Sequence, residues 1–157
     1  MTLRHIAHPM KLTQFTDYCL RVLIFLATEP ERRTTIAEIA RAFGISESHL
    51  TKVVHHLGKT GDIRTVRGKG GGMLLGRPAG EIRIGQVVRD AEGAAVPAEC
   101  FDPARTACVI EPVCHLRSVL QEATLAFYER LDRHSLADIT RNRKALAQQL
   151  LPLQEPG

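Results

Sequence analysis

The chain has 157 residues, of which 44% are hydrophobic, 24% are charged and 4% are aromatic. This is an ordinary globular composition, so one domain with a mostly aliphatic core is expected. No segment approaches the roughly 18 consecutive apolar residues of a membrane span, and residues 1–9 lack the apolar stretch of a secretory signal. We therefore expect a cytoplasmic protein with no membrane partner, in which the four cysteines are reduced.

Positive charge is concentrated in the first part of the chain. Residues 1–90 contain 14 Lys and Arg against 8 Asp and Glu, whereas residues 91–157 contain 7 against 9. A positively charged surface favours contact with a polyanion such as nucleic acid. The charge balance therefore indicates which part of the chain would make such a contact.

A first helix is predicted over residues 10–29, after an N-terminal extension of residues 1–9. Apolar residues recur there at steps of three and four, and Pro30 ends the pattern. The apolar face consists of Leu12, Phe15, Cys19, Val22, Leu23 and Leu26. This position predicts that Cys19 is a core residue.

Two short helices joined by a turn are predicted next. Thr35 and Glu38 match a capping box at the start of the second helix, and Gly44 matches its end. Ser46 is a suitable N-cap for a third helix over about residues 47–57, and Gly61 is predicted to close it. This pattern is typical of a helix-turn-helix unit.

A hairpin is predicted directly after the third helix. Residues 63–67 and 73–75 read as two strands, and the glycine-rich segment 68–72 lies between them. A hairpin in this place is the wing of a winged helix. The sequence therefore predicts a winged helix-turn-helix DNA-binding domain over residues 10–80.

The remainder is predicted as a connecting helix and loop over 81–111, a long helix and a short last helix over 112–141, and a tail over 142–157. The long helix is expected to begin at Pro112 and to carry an apolar stripe that needs a cover. The stripe consists of Leu116, Leu120, Ala123, Phe127 and Leu131. A second copy of the chain is the simplest cover, so the predicted fold is mainly α, with a winged helix-turn-helix and a long C-terminal dimerisation helix.

Polar side chains on the third helix and the wing are the candidate DNA contacts. Small polar groups at the start of a recognition helix reach base edges, whereas Lys and Arg contact phosphate or enter the minor groove. The candidates are Ser46, Ser48, His49 and Lys52 on the helix and Arg67 and Lys69 in the wing. The alternative is a solvated polar face on a structural helix pair.

Three cysteines lie in the proline-containing loop and at the start of the long helix. Seven residues separate Cys100 from Cys108, and five separate Cys108 from Cys114. Three thiolates suit a soft metal or an iron–sulfur cluster, although this spacing is not that of a zinc ribbon. The alternative is three unrelated thiols. We expect no enzyme, because the sequence contains no phosphate-binding loop and no nucleophile spaced to meet a base.

Taken together, these segments resemble the Rrf2 family of winged-helix iron–sulfur transcription regulators over residues 10–141. The similarity is carried by the segments 10–18, 66–76, 82–89, 114–117 and 136–138, together with the three cysteines. The resemblance implies a homodimer joined through the long helix and a cluster on the three cysteines. In the nitric-oxide-sensing members the cluster is 4Fe-4S rather than 2Fe-2S, and an Asp from the partner's first helix supplies the fourth ligand. The matching residue is Asp17.

The resemblance leads us to expect a nitric-oxide-sensing repressor. It would bind double-stranded operator DNA as a homodimer with its cluster intact and leave the DNA when the cluster is nitrosylated. The seven-residue gap and the sequence Glu99-Cys100-Phe101 resemble iron-responsive members instead. A regulator that responds to iron or cluster supply is therefore the alternative within the family, and a metal-free interaction module is the alternative outside it.

Overall fold

The structure is a computed structural model that describes residues 11–93, 96–105 and 108–151. The predicted extension at residues 1–9 and the end of the predicted tail lie outside these ranges. The described chain is mostly helical with one two-stranded antiparallel sheet, which confirms the predicted fold class. The elements are α1 Gln14–Thr28, α2 Ile36–Phe43, α3 Glu47–Thr60, β1 Ile63–Val66, β2 Gly72–Leu75, α4 Ile84–Glu92, α5 His115–Asp132, α6 Leu136–Ile139 and α7 Arg143–Leu150.

Helix α1 is the centre of the core and packs against α3, α4 and α7. Cys19, Val22 and Leu23 are completely buried, as the apolar periodicity predicted. The helix begins four residues later than predicted, because Thr13 is the N-cap and its hydroxyl accepts a hydrogen bond from the amide of Thr16 at 3.3 Å. Such a cap satisfies an amide that has no partner within the helix.

The helix-turn-helix is formed by local capping contacts. Thr35 and Glu38 form the predicted capping box of α2. Gly44 ends that helix with φ of 65°, a left-handed conformation that glycine adopts without strain. Ser46 caps α3, which continues to Thr60, three residues beyond the predicted range, and the left-handed residue Gly61 closes it as predicted.

The wing is a hairpin with Ile63 opposite Leu75 and Val66 opposite Gly72. Met73 also exchanges two backbone hydrogen bonds with Thr34, at 2.8 and 3.1 Å, so the wing is joined to the segment before α2. A Cβ at position 72 would lie 2.9 Å from the carbonyl oxygen of Thr34, which requires glycine there. The wing is therefore held against the helix-turn-helix.

The second part of the chain departs from the prediction at two places. Pro112 does not open the long helix: it lies in a short 3-10 turn, Glu111–Val113, and α5 begins at His115 with Cys114 as its N-cap. The segment 142–157, predicted as a tail, contains α7, whose Arg143 donates a hydrogen bond from Nε to the carbonyl of Thr28 at 3.3 Å. The proposed division into domains stays a prediction.

Helix α5 packs on the core only near its C-terminal end. Phe127 and Leu131 of the predicted stripe contact the core, whereas Leu116 and Val119 are 61% and 57% exposed. The preceding turn exposes more apolar surface, with Val113 at 77%. A soluble chain rarely leaves such a row uncovered. Across the described segments, no helix combines the length and the apolar character that crossing a membrane requires.

Candidate DNA interface and cysteine segment

The outer face of α3 carries the four helix residues predicted to contact DNA. Ser46, Ser48, His49 and Lys52 are all exposed, and the opposite face is buried. The buried residues are Leu50, Val53, Val54 and Leu57, as predicted. The hydroxyl of Ser46 accepts a hydrogen bond from the amide of His49 at 3.4 Å and lies 3.2 Å from that of Ser48. Ser46 therefore caps the helix as well as facing solvent.

The wing presents Arg67 and Lys69 as exposed side chains. The structure adds a third cation, Arg33, that the sequence pattern did not predict. Arg33 donates a hydrogen bond from Nη1 to the carbonyl of Gly70 at 3.0 Å, which brings its charge to the tip of the wing. The only signal in the sequence was the pair of arginines before α2, and the partner across 37 residues depends on the tertiary fold.

A buried carboxylate fixes the base of the wing. Asp62, between α3 and β1, is 2% exposed. It accepts hydrogen bonds from Arg77 Nε at 3.0 Å and from the hydroxyl of Thr60 at 2.7 Å. A buried charge is tolerated only when it is paired in this way. These contacts join the end of the recognition helix to the segment after the wing.

The three loop cysteines are free thiols on short, locally hydrogen-bonded segments. Cys100 lies in the 3-10 turn Glu99–Phe101 and is half-buried, Cys108 is exposed, and Cys114 is half-buried at the start of α5. Within residues 11–93, 96–105 and 108–151, no three His, Cys, Asp or Glu side chains surround a common metal position. The structure thus places the thiols on one segment without closing a site.

Cys19 differs from these three cysteines in its burial and its place in the fold. It is completely buried in the core, which confirms the prediction made from the apolar face of α1. Burial raises the pKa of its thiol to about 12, and the negative charge of Asp62 contributes to the rise. A thiol in this environment stays protonated and is a poor metal ligand, because the thiolate is the ligand form.

Asp17 lies in the first turn of α1 and is not grouped with the cysteines. Its carboxylate forms an ion pair with Arg21 at 2.9 Å, and 46% of the side chain is exposed. The same end of α1 is held by Glu92, the last residue of α4, whose Oε1 accepts hydrogen bonds from the amide and hydroxyl of Thr13 at 2.8 and 3.0 Å. Glu92 therefore joins the start of α1 to the end of α4.

Comparison with known proteins places the chain in a family. Residues 12–142 match the family Rrf2, described as "Iron-dependent Transcriptional regulator". The chain is 47% identical over 147 residues to the HTH-type transcriptional regulator NsrR of Bacillus subtilis, covering 93% of this chain and 100% of that protein. It is 49% identical to NsrR of Geobacillus kaustophilus, covering 87% of this chain and 94% of that protein.

Solved structures agree with this assignment. The T. potens protein IscR matches with a TM-score of 0.69 and 25% identity, over 87% of this chain and 90% of that one. CymR of Staphylococcus aureus in its oxidized form matches with a TM-score of 0.64 and 28% identity, over 83% and 95%. The matched proteins are regulators and not enzymes, as the sequence predicted. The chain therefore belongs to the Rrf2 family of transcriptional regulators and is a regulator of the NsrR type.

Proposed function

We propose that the chain is a cytoplasmic, homodimeric repressor that holds an iron–sulfur cluster on Cys100, Cys108 and Cys114 and leaves its operator in response to nitric oxide. The observation that carries this proposal is the position of the three free thiols. Along the chain they lie between α4, which packs on the winged helix, and the exposed apolar row of α5. A change in this segment therefore acts on the DNA-reading part and on the dimer helix together.

The donor set fits an iron–sulfur cluster. Thiolate is the donor that holds such clusters, and the three thiols occur on one irregular segment that can adjust its shape. When bound, the cluster supplies the iron that reacts with nitric oxide. Three cysteines leave one coordination position on either kind of cluster. The resemblance to nitric-oxide-sensing relatives favours 4Fe-4S over 2Fe-2S.

Asp17 of the second copy is the proposed fourth ligand. Its carboxylate is half-exposed, and its ion pair with Arg21 is a surface pair that can be exchanged at little cost. An oxygen ligand is harder than thiolate, so the iron it binds is the easiest point of entry for a small ligand. Glu92 fixes the first turn of α1, which carries Asp17, against the end of α4.

The proposed DNA contacts fall into two groups, those that would contact base edges and those that would contact the phosphate backbone. Ser46, Ser48 and His49 face outward at the start of α3 and would read base edges, whereas Lys52 would contact phosphate. Arg67 and Lys69 would contact the backbone or the minor groove beside it. In a homodimer the two recognition helices would read half-sites about one helical turn, or a multiple of it, apart.

The cluster is tested by anaerobic reconstitution of the full chain. We expect a brown protein with thiolate-to-iron absorption, loss of bound iron in Cys100→Ala, Cys108→Ala and Cys114→Ala, and retention in the core variant Cys19→Ala. A double-stranded DNA pool selected with the reconstituted protein should be bound as a dimer and released on addition of nitric oxide. A colourless protein that binds the same DNA with and without reconstitution would contradict the proposal.

The anchoring role of Lys52 is tested by the salt dependence of DNA binding. Lys52→Ala should weaken binding to selected and unselected DNA alike and reduce the slope of log affinity against log salt by roughly one. Lys144→Ala is the matched control, because Lys144 is also an exposed lysine but lies on α7 and not on the recognition helix α3. An unchanged slope in Lys52→Ala would reject the phosphate contact.

The family description as iron-dependent favours a second candidate, a regulator that responds to iron or cluster supply. The two candidates separate in one experiment on the reconstituted protein bound to selected DNA. A nitric-oxide sensor releases the DNA when nitric oxide is added and stays bound to it during mild iron chelation. An iron-responsive regulator releases the DNA during mild iron chelation and stays bound to it when nitric oxide is added.

A further inference from the structure

The cysteine segment consists of two halves, each held by its own backbone hydrogen bonds. In the first half, residues 98–105, the amide of Phe101 donates to the carbonyl of Ala98 at 3.1 Å. The second half, residues 108–114, is closed by similar bonds among its own residues. The first half carries Cys100 and the second carries the other two cysteines. Binding one cluster on three thiols requires the two halves to be held close together in a defined arrangement.

One side chain contacts both halves. The guanidinium of Arg117, in the first turn of α5, lies over the ring of Phe101 with Cζ 5.5 Å from the ring centroid. The same group donates a hydrogen bond from Nη1 to Oε1 of Glu111. Phe101 directly follows Cys100, and Glu111 lies between Cys108 and Cys114 in the chain. A guanidinium can do both at once, because it stacks through its face and donates through its edge.

Phe101 and α5 also face each other across a groove beside this contact. A cavity of about 220 Å³ lies beside the stacked pair. It is lined by Pro97, Phe101, Arg117, Gln121, Thr124 and Leu125. Pro97, Gln121 and Leu125 are exposed, so this is an open groove at the protein surface. Beside it, the stack of Arg117 on Phe101 is a direct contact that holds the residue after Cys100 against α5.

We infer that Arg117 is a positioning residue for the cluster, which holds the two cysteine-bearing halves against the first turn of α5. This inference rests on the proposed cluster and adds a residue that binds neither iron nor DNA. It also gives α5 a side-chain contact with the first half, since Arg117 belongs to the helix proposed to join the two copies. Movement of the first half would be transmitted to that helix through this side chain, whereas the second half continues into α5 through the backbone at Cys114.

The first test uses the cluster-free protein and measures alkylation of each cysteine by iodoacetamide with mass spectrometry. In Arg117→Gln, Cys100 and Cys114 should react roughly 5- to 20-fold faster than in the wild type, the range expected when a stacked cation and a charged hydrogen bond are both lost. Cys19, completely buried, is the internal reference and should not change. Arg130→Gln is the matched control, because Arg130 is exposed on the same helix.

The second test measures the rate at which reconstituted protein loses iron to a chelator under anaerobic conditions. Arg117→Gln should lose iron roughly 5- to 20-fold faster, and Arg117→Lys should show most of this defect because an ammonium lacks the planar face. Phe101→Leu removes the stack from the other side and should give the same increase. This variant keeps the test decisive if Arg117→Gln fails to fold.

The outcomes separate the inference from the proposed function. If the wild type takes up no iron, the proposed cluster is rejected, while the alkylation rates in the cluster-free protein still decide the role of Arg117. Alkylation and iron loss at wild-type rates in both Arg117→Gln and Phe101→Leu would overturn the inference. Faster alkylation in both variants, with Arg130→Gln at the wild-type rate, would support it.

Discussion

Replacing Gly85 with alanine should destabilise the protein, although the same change in a helix usually stabilises. Gly85 is buried in the first turn of α4, where the end of α5 crosses it. A Cβ there would lie 1.9 Å from Oδ1, 2.8 Å from Cγ and 3.0 Å from the backbone nitrogen of Asp132. Asp132 is not free to rotate, because Arg89 holds both carboxylate oxygens at 2.8 and 2.5 Å and lies over the ring of Tyr128. The added methyl group therefore displaces α5 or breaks this ion pair.

Two opposing effects set the size of the change. Forcing an extra carbon into a packed contact lowers the free energy of unfolding by about 1–3 kcal/mol. Replacing glycine with alanine in a helix raises it by at most about 1 kcal/mol. We therefore expect a net loss of about 1–2 kcal/mol in the free energy of unfolding. For a chain of this size, that corresponds to a Tm lower by roughly 2–8 °C.

Urea and thermal unfolding followed by circular dichroism measure this loss. Gly58→Ala is the matched control, because a Cβ at Gly58 in α3 would meet nothing within 4 Å and should stabilise by about 0.5–1 kcal/mol. Adding Asp132→Ala to Gly85→Ala should recover part of the loss, since the clashing carboxylate is gone. Equal stabilisation by Gly85→Ala and Gly58→Ala would refute the close contact between α4 and α5.

Two further predictions concern caps. Partial burial alone would raise the pKa of Glu92, but hydrogen bonds from Thr16 and Thr13 lower it below its ordinary value of 4.5. The ionised Glu92 therefore contributes to the free energy of unfolding. This contribution is fully present above the ordinary pKa and is lost as the pH falls through the lowered pKa of the folded protein. Glu92→Gln should flatten the decline of Tm below about pH 5, and an unchanged decline would count against this. Thr35→Ala, which removes the cap of α2, should cost about 1 kcal/mol in urea unfolding, with Thr35→Ser close to the wild type.

The winged helix could be predicted from the sequence because its signals are local. Thr35 caps α2 through a residue three positions away, and Gly44 ends the helix through its own backbone conformation. Each of these contacts spans less than one helical turn, so the residue types at fixed spacing determine it. The wing followed in the same way from strands separated by a run of glycines.

Local signals were insufficient where two structures suit the same residues. Pro112 is as compatible with a 3-10 turn as with the first turn of a helix, and here it lies in the turn that precedes α5. The ion pair of Glu111 with Arg117 is consistent with that turn lying against the helix. Helix α7 was missed because its support is tertiary: Arg143 bonds to Thr28, 115 residues earlier in the chain.

The sequence by itself determined the chemistry of the candidate sites: three thiols on an irregular segment, a polar face on the third helix and cations in a glycine-rich wing. Only the tertiary structure decided how these parts are joined. Glu92 meets Thr13 across 79 residues, and Arg89 meets Asp132 across 43. Such pairs depend on the angles at which α1, α4 and α5 pack, and those angles arise from the shapes of many buried side chains together rather than from any periodic pattern along the chain.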